Sequence, residues 1–87
     1  MKRWSIIFKM LSNINRLEII KMLRKTKSLP VFKIAEILKI SEAATSKHLI
    51  LLKNLDVLDS TGKDNNVYYS INPLMPTDFK SVIELIK

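Results

Sequence analysis

Residues 37–58 read Ile-Leu-Lys-Ile-Ser-Glu-Ala-Ala-Thr-Ser-Lys-His-Leu-Ile-Leu-Leu-Lys-Asn-Leu-Asp-Val-Leu, and a polar stretch with the chain's only glycine then leads into Val67-Tyr68-Tyr69-Ser70-Ile71. A helix end, a tight turn, a second helix and a β-hairpin in that order leave few folds open to so short a chain. Ser41 stands where an N-cap belongs, its hydroxyl suited to the first free backbone N–H groups of the second helix. Behind it, Thr45, Leu49 and Leu52 share one helical stripe, with Ile50 and Leu51 beside them. Glu42, Ala43, Ser46 and Lys47 are left facing outward, and His48 lies at the edge of that face.

The flanking segments supply three further helices. Residues 3–11 carry Trp4, Ile7, Phe8 and Leu11 at i, i+3, i+4 and i+7, with Ile6 and Met10 on a second side. A helix apolar on two sides needs two things to pack against, its own domain and something else. A second helix is predicted over 13–25, with Ile14, Leu17, Ile19, Ile20 and Leu23 as a wide core face. Lys21, Arg24 and Lys25 crowd its end, where cations complement the helix dipole and could equally hold phosphate. Pro30 suits a helix's first turn, so a third helix is expected from there to Lys39, burying Ile34, Ile37 and Leu38, with Ala35 at a close helix–helix approach.

The fourth helix then covers Ser41 to Leu55, and Asp56 can take the left-handed conformation that ends it. Strands are expected over 57–61 and 66–71, joined by Gly62-Lys63-Asp64-Asn65, residue types that accept positive φ. Asn72-Pro73 closes the hairpin, and Thr77 or Asp78 caps a last helix over 78–87 striped by Phe79, Val82, Ile83 and Ile86. The expected architecture is mostly α with a small β-hairpin wing, an α+β winged helix-turn-helix of four helices, two strands and a fifth helix. It forms one domain over 1–87, with the helix-turn-helix at 30–55 and the wing at 57–71.

Ser46-Lys47-His48-Leu49 followed by Leu51-Leu52, and Val67-Tyr68-Tyr69 a wing's length later, resembles the ArsR/SmtB class of winged-helix repressors. Upstream, Leu11-Ser12-Asn13-Ile14-Asn15-Arg16-Leu17-Glu18-Ile19-Ile20 is similar to the second helix of that family, and the register runs without insertion from about Leu11 to Ile71. The resemblance implies a homodimeric, double-stranded DNA-binding transcriptional regulator, a repressor occupying an inverted repeat with the helix 41–55 in the major groove. It implies that Ser46 and His48 contact DNA, and that the end segments 1–11 and 77–87 dimerise. The rival reading is a winged-helix interaction or scaffold module that never reads DNA.

Within that frame the residue chemistry nominates a DNA-facing set. Ala43 offers a methyl to thymine, Glu42 can accept from a cytosine amino group, and Thr45, Ser46, Lys47 and His48 follow along the helix. Phosphate contacts fall to Lys33, Lys47, Lys53 and the wing's Lys63, with Lys2, Arg3 and Lys9 in support if the first helix lies near the duplex. The apolar excess of the terminal helices nominates Trp4, Ile7, Phe8, Leu11, Phe79, Val82, Ile83 and Ile86 for the dimer interface.

The chain departs from the family in three places. Pro30 replaces a usual Ser or Thr, Asp56 a usual glycine, and Asp59, Thr61 and Gly62, with Asp64 beside Lys63, stand where relatives carry wing arginines. Many relatives release DNA on binding metal through cysteine, histidine and carboxylate clusters, but this chain has no cysteine and one histidine. No metal and no cofactor is therefore expected. Without a glycine-rich phosphate loop or a cysteine nucleophile, no enzymatic activity is expected either.

Composition sets outer bounds. A net charge of +7 and a pI near 9.9 favour a polyanionic partner. The excess is uneven: residues 1–27 hold eight Lys or Arg against one acid, residues 28–58 four against three, and residues 59–87 three against four. A domain of this size buries only about 60–65% of its unfolded surface, and with disulfides excluded, oligomerisation is the natural source of further stability. Lys9 interrupts the N-terminal apolar run, which reads as an amphipathic helix and not a signal peptide, and no stretch approaches a membrane span. An intracellular protein is expected, and the abundance of Lys, Ile and Asn points to an AT-rich genome, archaeal or viral sources among the candidates.

Overall fold

Most helix ends are explained by the residues that form them. The Asn13 side chain accepts from the backbone N–H groups of Asn15 and Arg16 and starts helix α2 (Ile14–Lys25). Ser41 Oγ accepts from Ala44 N at 3.0 Å and starts α4 (Glu42–Asn54), the cap anticipated from its position. Between them, α3 (Val31–Leu38) begins after Pro30, which makes no side-chain cap, and ends on Lys39 in the left-handed region at φ 59. Lys39 N–H turns back onto the carbonyls of Ala35 and Glu36, which closes the turn of the helix-turn-helix. Asp56, also left-handed at φ 62, ends the run after α4.

The computed structural model describes residues 2–86. Met1 and Lys87 lie outside it, as do the side chains of Lys2 and Arg3, so the expected phosphate contacts of those two fall outside the described residues. The remaining elements are α1 (Lys2–Leu11), β1 (Leu29–Pro30), β2 (Leu58–Lys63), β3 (Asn66–Ile71) and α5 (Thr77–Ile83). The strands form one antiparallel sheet in the order β1-β3-β2. Leu29 pairs with Tyr69 and Pro30 with Tyr68, while Leu58 to Lys63 pair with Ile71 to Asn66.

Several expectations are corrected. The two-residue strand β1 was not foreseen, and Pro30 belongs to it, before α3. The hairpin turns on Asp64-Asn65 alone, at φ 53 and 64, which matches the two-residue turn whose twist suits paired strands. Gly62 lies inside β2 without positive φ. Helix α5 stops at Ile83, short of residue 87. Ile14 and Ile37, expected in the core, stand in solvent at 65% and 47% exposure.

The core is built where the stripes converge. Ile7 and Met10 of α1, Ile19, Ile20 and Leu23 of α2, Ile34 of α3, and Leu49 and Leu52 of α4 are buried against Val57, Leu58 and Tyr69 of the sheet region. Met75, Phe79 and Ile83 close it from the C-terminal side. Arg24 Nη1 donates to the carbonyls of Ile83 and Ile86, tying the end of α5 to α2. Of the residues assigned to dimerisation, Ile7, Phe79 and Ile83 are thus consumed by the protomer's own core. Trp4 and Phe8 remain exposed, and Leu11, Val82 and Ile86 are half-buried at its margin.

Candidate nucleic-acid interface

Helix α4 presents Glu42, Ala43 and Lys47 to solvent, with Ser46 and His48 half-buried along the same face. Its inner stripe of Thr45, Leu49 and Leu52 has no exposure, which holds the outer face at a fixed angle to the core. Thr45 is withdrawn from the DNA-facing set. Its hydroxyl donates to Ser41 O at 2.8 Å inside the protein, as an i−4 bond satisfies a buried threonine on an inward stripe.

His48 is held by Arg16, a residue that sequence reasoning placed only in a family-like segment. Arg16 Nε donates to Met10 O at 2.8 Å and Nη2 to Lys9 O at 3.1 Å, so the guanidinium covers the carbonyl end of α1. Its Nη1 lies 3.3 Å from His48 Nδ1. A guanidinium only donates, so Nδ1 accepts and the imidazole proton sits on Nε2. Burial, and then the charge of Arg16, lower the proton affinity of His48 below the usual histidine value. The ring is therefore neutral near pH 7 and offers a single donor, suited to an acceptor on a base edge or phosphate.

The lysines divide into three situations. Lys33 is exposed at the start of α3 and pairs with Glu36 at 3.2 Å, a surface pair that a phosphate could displace at little cost. Lys53 is exposed near the end of α4, and Lys47 midway along it. Lys63 lies on the outer face of the wing, beside a shallow cleft of about 330 Å³ that it lines with Lys27, Ser28, Thr61, Tyr68 and Ser70. Two ammonium groups and four hydroxyls suit a phosphate oxygen better than a base. Lys27, Ser28, Tyr68 and Ser70 were missed because only the pairing of β1 with β3 carries residues 27 and 28 to the wing. The basic run Arg24-Lys25-Thr26-Lys27 was the one signal available.

Among the described residues no three of His, Cys, Asp or Glu gather to hold a metal ion, and no helix is long and apolar enough to cross a membrane.

A family model described as "Bacterial regulatory protein, arsR family" matches residues 13–60, from the cap of α2 to the middle of β2. The chain is 47% identical over 64 residues to the cadmium resistance transcriptional regulatory protein CadC of Listeria innocua, an alignment covering 74% of this chain and 54% of that protein. The chain thus spans about half the length of the curated relatives it matches. Among solved structures it resembles HlyU from Vibrio cholerae, at 27% identity and TM-score 0.78 over 97% of this chain and 87% of that one. It also resembles the transcriptional repressor PagR of Bacillus anthracis, at 30% identity and TM-score 0.73 over 95% and 91%. These relatives are bacterial and lend an archaeal or viral source no support.

Proposed function

Because the chain belongs to the arsR family of bacterial regulatory proteins, a family of regulators and not of enzymes, we propose that it is a sequence-specific double-stranded DNA-binding transcriptional regulator that works inside the cell. In this reading it is a homodimeric repressor, with α4 of each copy in the major groove over one half of an inverted repeat. The observation that carries the proposal is the outer face of α4. A capped helix exposes Glu42, Ala43 and Lys47 beside a half-buried Ser46 and a neutral His48 of fixed tautomer, on a chain of net charge +7. Ser46 and His48 read base edges, and Lys33, Lys47, Lys53, Lys63 and Lys27 hold phosphates.

Dimerisation is supported by α1. Trp4 and Phe8 are 43% and 63% exposed with ring centroids 5.8 Å apart, an aromatic pair left in solvent by its own domain. We place the isologous contact on this pair, with Leu11, Val82 and Ile86 at its margin; to read an inverted repeat it has to set the two copies of α4 one DNA turn, about 34 Å, apart. No metal is proposed to act in this chain, since it holds no cysteine and a single histidine.

Mobility shift with mixed genomic fragments at low and moderate salt tests the reading. Retention of a subset of fragments, with affinity falling steeply as salt rises, is expected. Failure to retain any fragment at low salt would leave the interaction-module alternative, which draws support from the acidic residues Asp59 and Asp64 of the wing.

A further inference from the structure

A cleft of about 280 Å³ lies between α1 and the C-terminal end of α4. Ile6 and Met10 of α1, Leu51 of α4 and Leu55 just past its end form its apolar walls, and Lys9 and Arg16 bring positive charge to it. Ile6 and Leu51 are 42% and 40% exposed, so the walls face water in the protomer. The volume falls just below the roughly 300–1,000 Å³ typical of small-molecule sites, enough for a small organic molecule and too little for a helix. Neither Lys9 nor Arg16 forms an ion pair with a carboxylate among the described residues. Apolar walls ending at two uncompensated cations are the complement of an amphipathic acid.

The position of Arg16 couples this cleft to the reading helix. Two of its arms are anchored on Met10 O and Lys9 O, whereas its third makes the longest of the three contacts, 3.3 Å to the neutral His48 Nδ1. A carboxylate is a stronger acceptor for a guanidinium than a neutral imidazole, so it wins that arm. His48 and Leu51 lie at i and i+3 on one stripe of α4, with Leu55 next at its C-cap, so the base-reading ring and the cleft wall share a helix face.

We propose that this cleft binds a small amphipathic monocarboxylate, its apolar body between Ile6, Met10, Leu51 and Leu55 and its carboxylate on Arg16 and Lys9, which draws Arg16 off His48 and weakens DNA binding. The effect on DNA rests on the function proposed above; binding in the cleft does not. A second copy of the chain is the competing occupant. Ile6 lies two residues, about 200° of helix, from both Trp4 and Phe8, so a dimer formed through that aromatic pair leaves the cleft open.

The test titrates octanoate into the full chain, with octanol as the neutral control, by calorimetry and by NMR of the His48 ring nitrogens, first without DNA and then with a retained fragment by mobility shift. Saturable binding at one octanoate per protomer is expected, with octanol at least about tenfold weaker and the His48 resonances moving at the same midpoint. Ile6→Glu, at an exposed position outside the DNA-facing set, places a like charge in the cleft and should weaken octanoate by about tenfold or more. Absence of saturable binding at millimolar octanoate, equal binding of octanol, or binding that leaves His48 unmoved overturns the proposal. So does conversion to monomer by Ile6→Glu in light scattering, which assigns the cleft to a second copy. Since ligand binding and the His48 shift are read without DNA, a failure of DNA recognition is told apart from a failure of the cleft.

Discussion

Phe8 and Phe79 have similar roles in a sequence-based view and opposite fates in the structure, so truncating each to alanine separates assembly from folding. Phe79 has no exposure. Its loss leaves a cavity in a close-packed core and costs about 3–5 kcal/mol, set against a total stability of roughly 4–13 kcal/mol for a chain of this length. Phe79→Ala should therefore shift the urea midpoint strongly or unfold the protein, and its effect on assembly is secondary. Phe8 is 63% exposed. Taking roughly 200 Å² for a phenylalanine side chain, about 120 Å² per copy is free to be covered, worth ~3 kcal/mol per copy if covered fully. Two copies give an upper bound of about 6 kcal/mol, or four orders of magnitude in the dimer dissociation constant, with little change in protomer stability. Sedimentation or light scattering across a dilution series, paired with urea unfolding at one concentration, reads both quantities. A Phe8→Ala dimer constant within about threefold of the parent value would place the interface elsewhere. A Phe79→Ala loss under about 1 kcal/mol would contradict its place in the core.

Ser46→Ala combined with His48→Ala should remove discrimination of about 1–3 kcal/mol per lost base contact while nonspecific binding persists, and unchanged selectivity over random DNA would remove α4 as the reader. Lys63→Ala should weaken specific and nonspecific binding alike and lower the salt slope by about one per protomer; an unaltered slope puts the wing cleft away from phosphate. His48 is harder to protonate folded than unfolded, so its contribution to stability is complete above the ordinary value near 6.5 and declines as the pH falls through the lower folded value. Urea midpoints measured between about pH 7.5 and 5 should show that decline, and His48→Gln should reduce it; identical profiles would mean that another group is responsible. Titrating Zn²⁺, Cu²⁺ or Ni²⁺ into the protein–DNA complex, with a chelator control, should leave it intact, and stoichiometric release would reveal a metal site that the composition does not suggest.

What the sequence by itself determined is local. Ser41 caps α4 because its hydroxyl can accept from the free backbone N–H of Ala44, three residues on, and Asp56 ends the helix run because it tolerates positive φ. The stripe of Thr45, Leu49 and Leu52, and the outward set opposite it, follow from helical spacing alone. The family likeness of residues 46–52 and 67–69 is likewise a property of the string. Tertiary structure decided whatever depends on partners distant in the chain. Helical periodicity marked both Phe8 and Phe79 as apolar but could not say which one the domain would cover. The strand β1 is too short to carry a period, and it exists because Tyr68 and Tyr69, some forty residues on, supply its hydrogen-bonding edge. Ile14 and Ile37 matched a core pattern, yet they stand in solvent while Ile19, Ile20 and Leu23 of α2 and Ile34 and Ala35 of α3 are the residues their helices bury. The contact of Arg16 with His48, across 32 residues, arises where α1, α2 and α4 meet. A periodic pattern states which side of a helix is apolar, and only packing settles what that side meets.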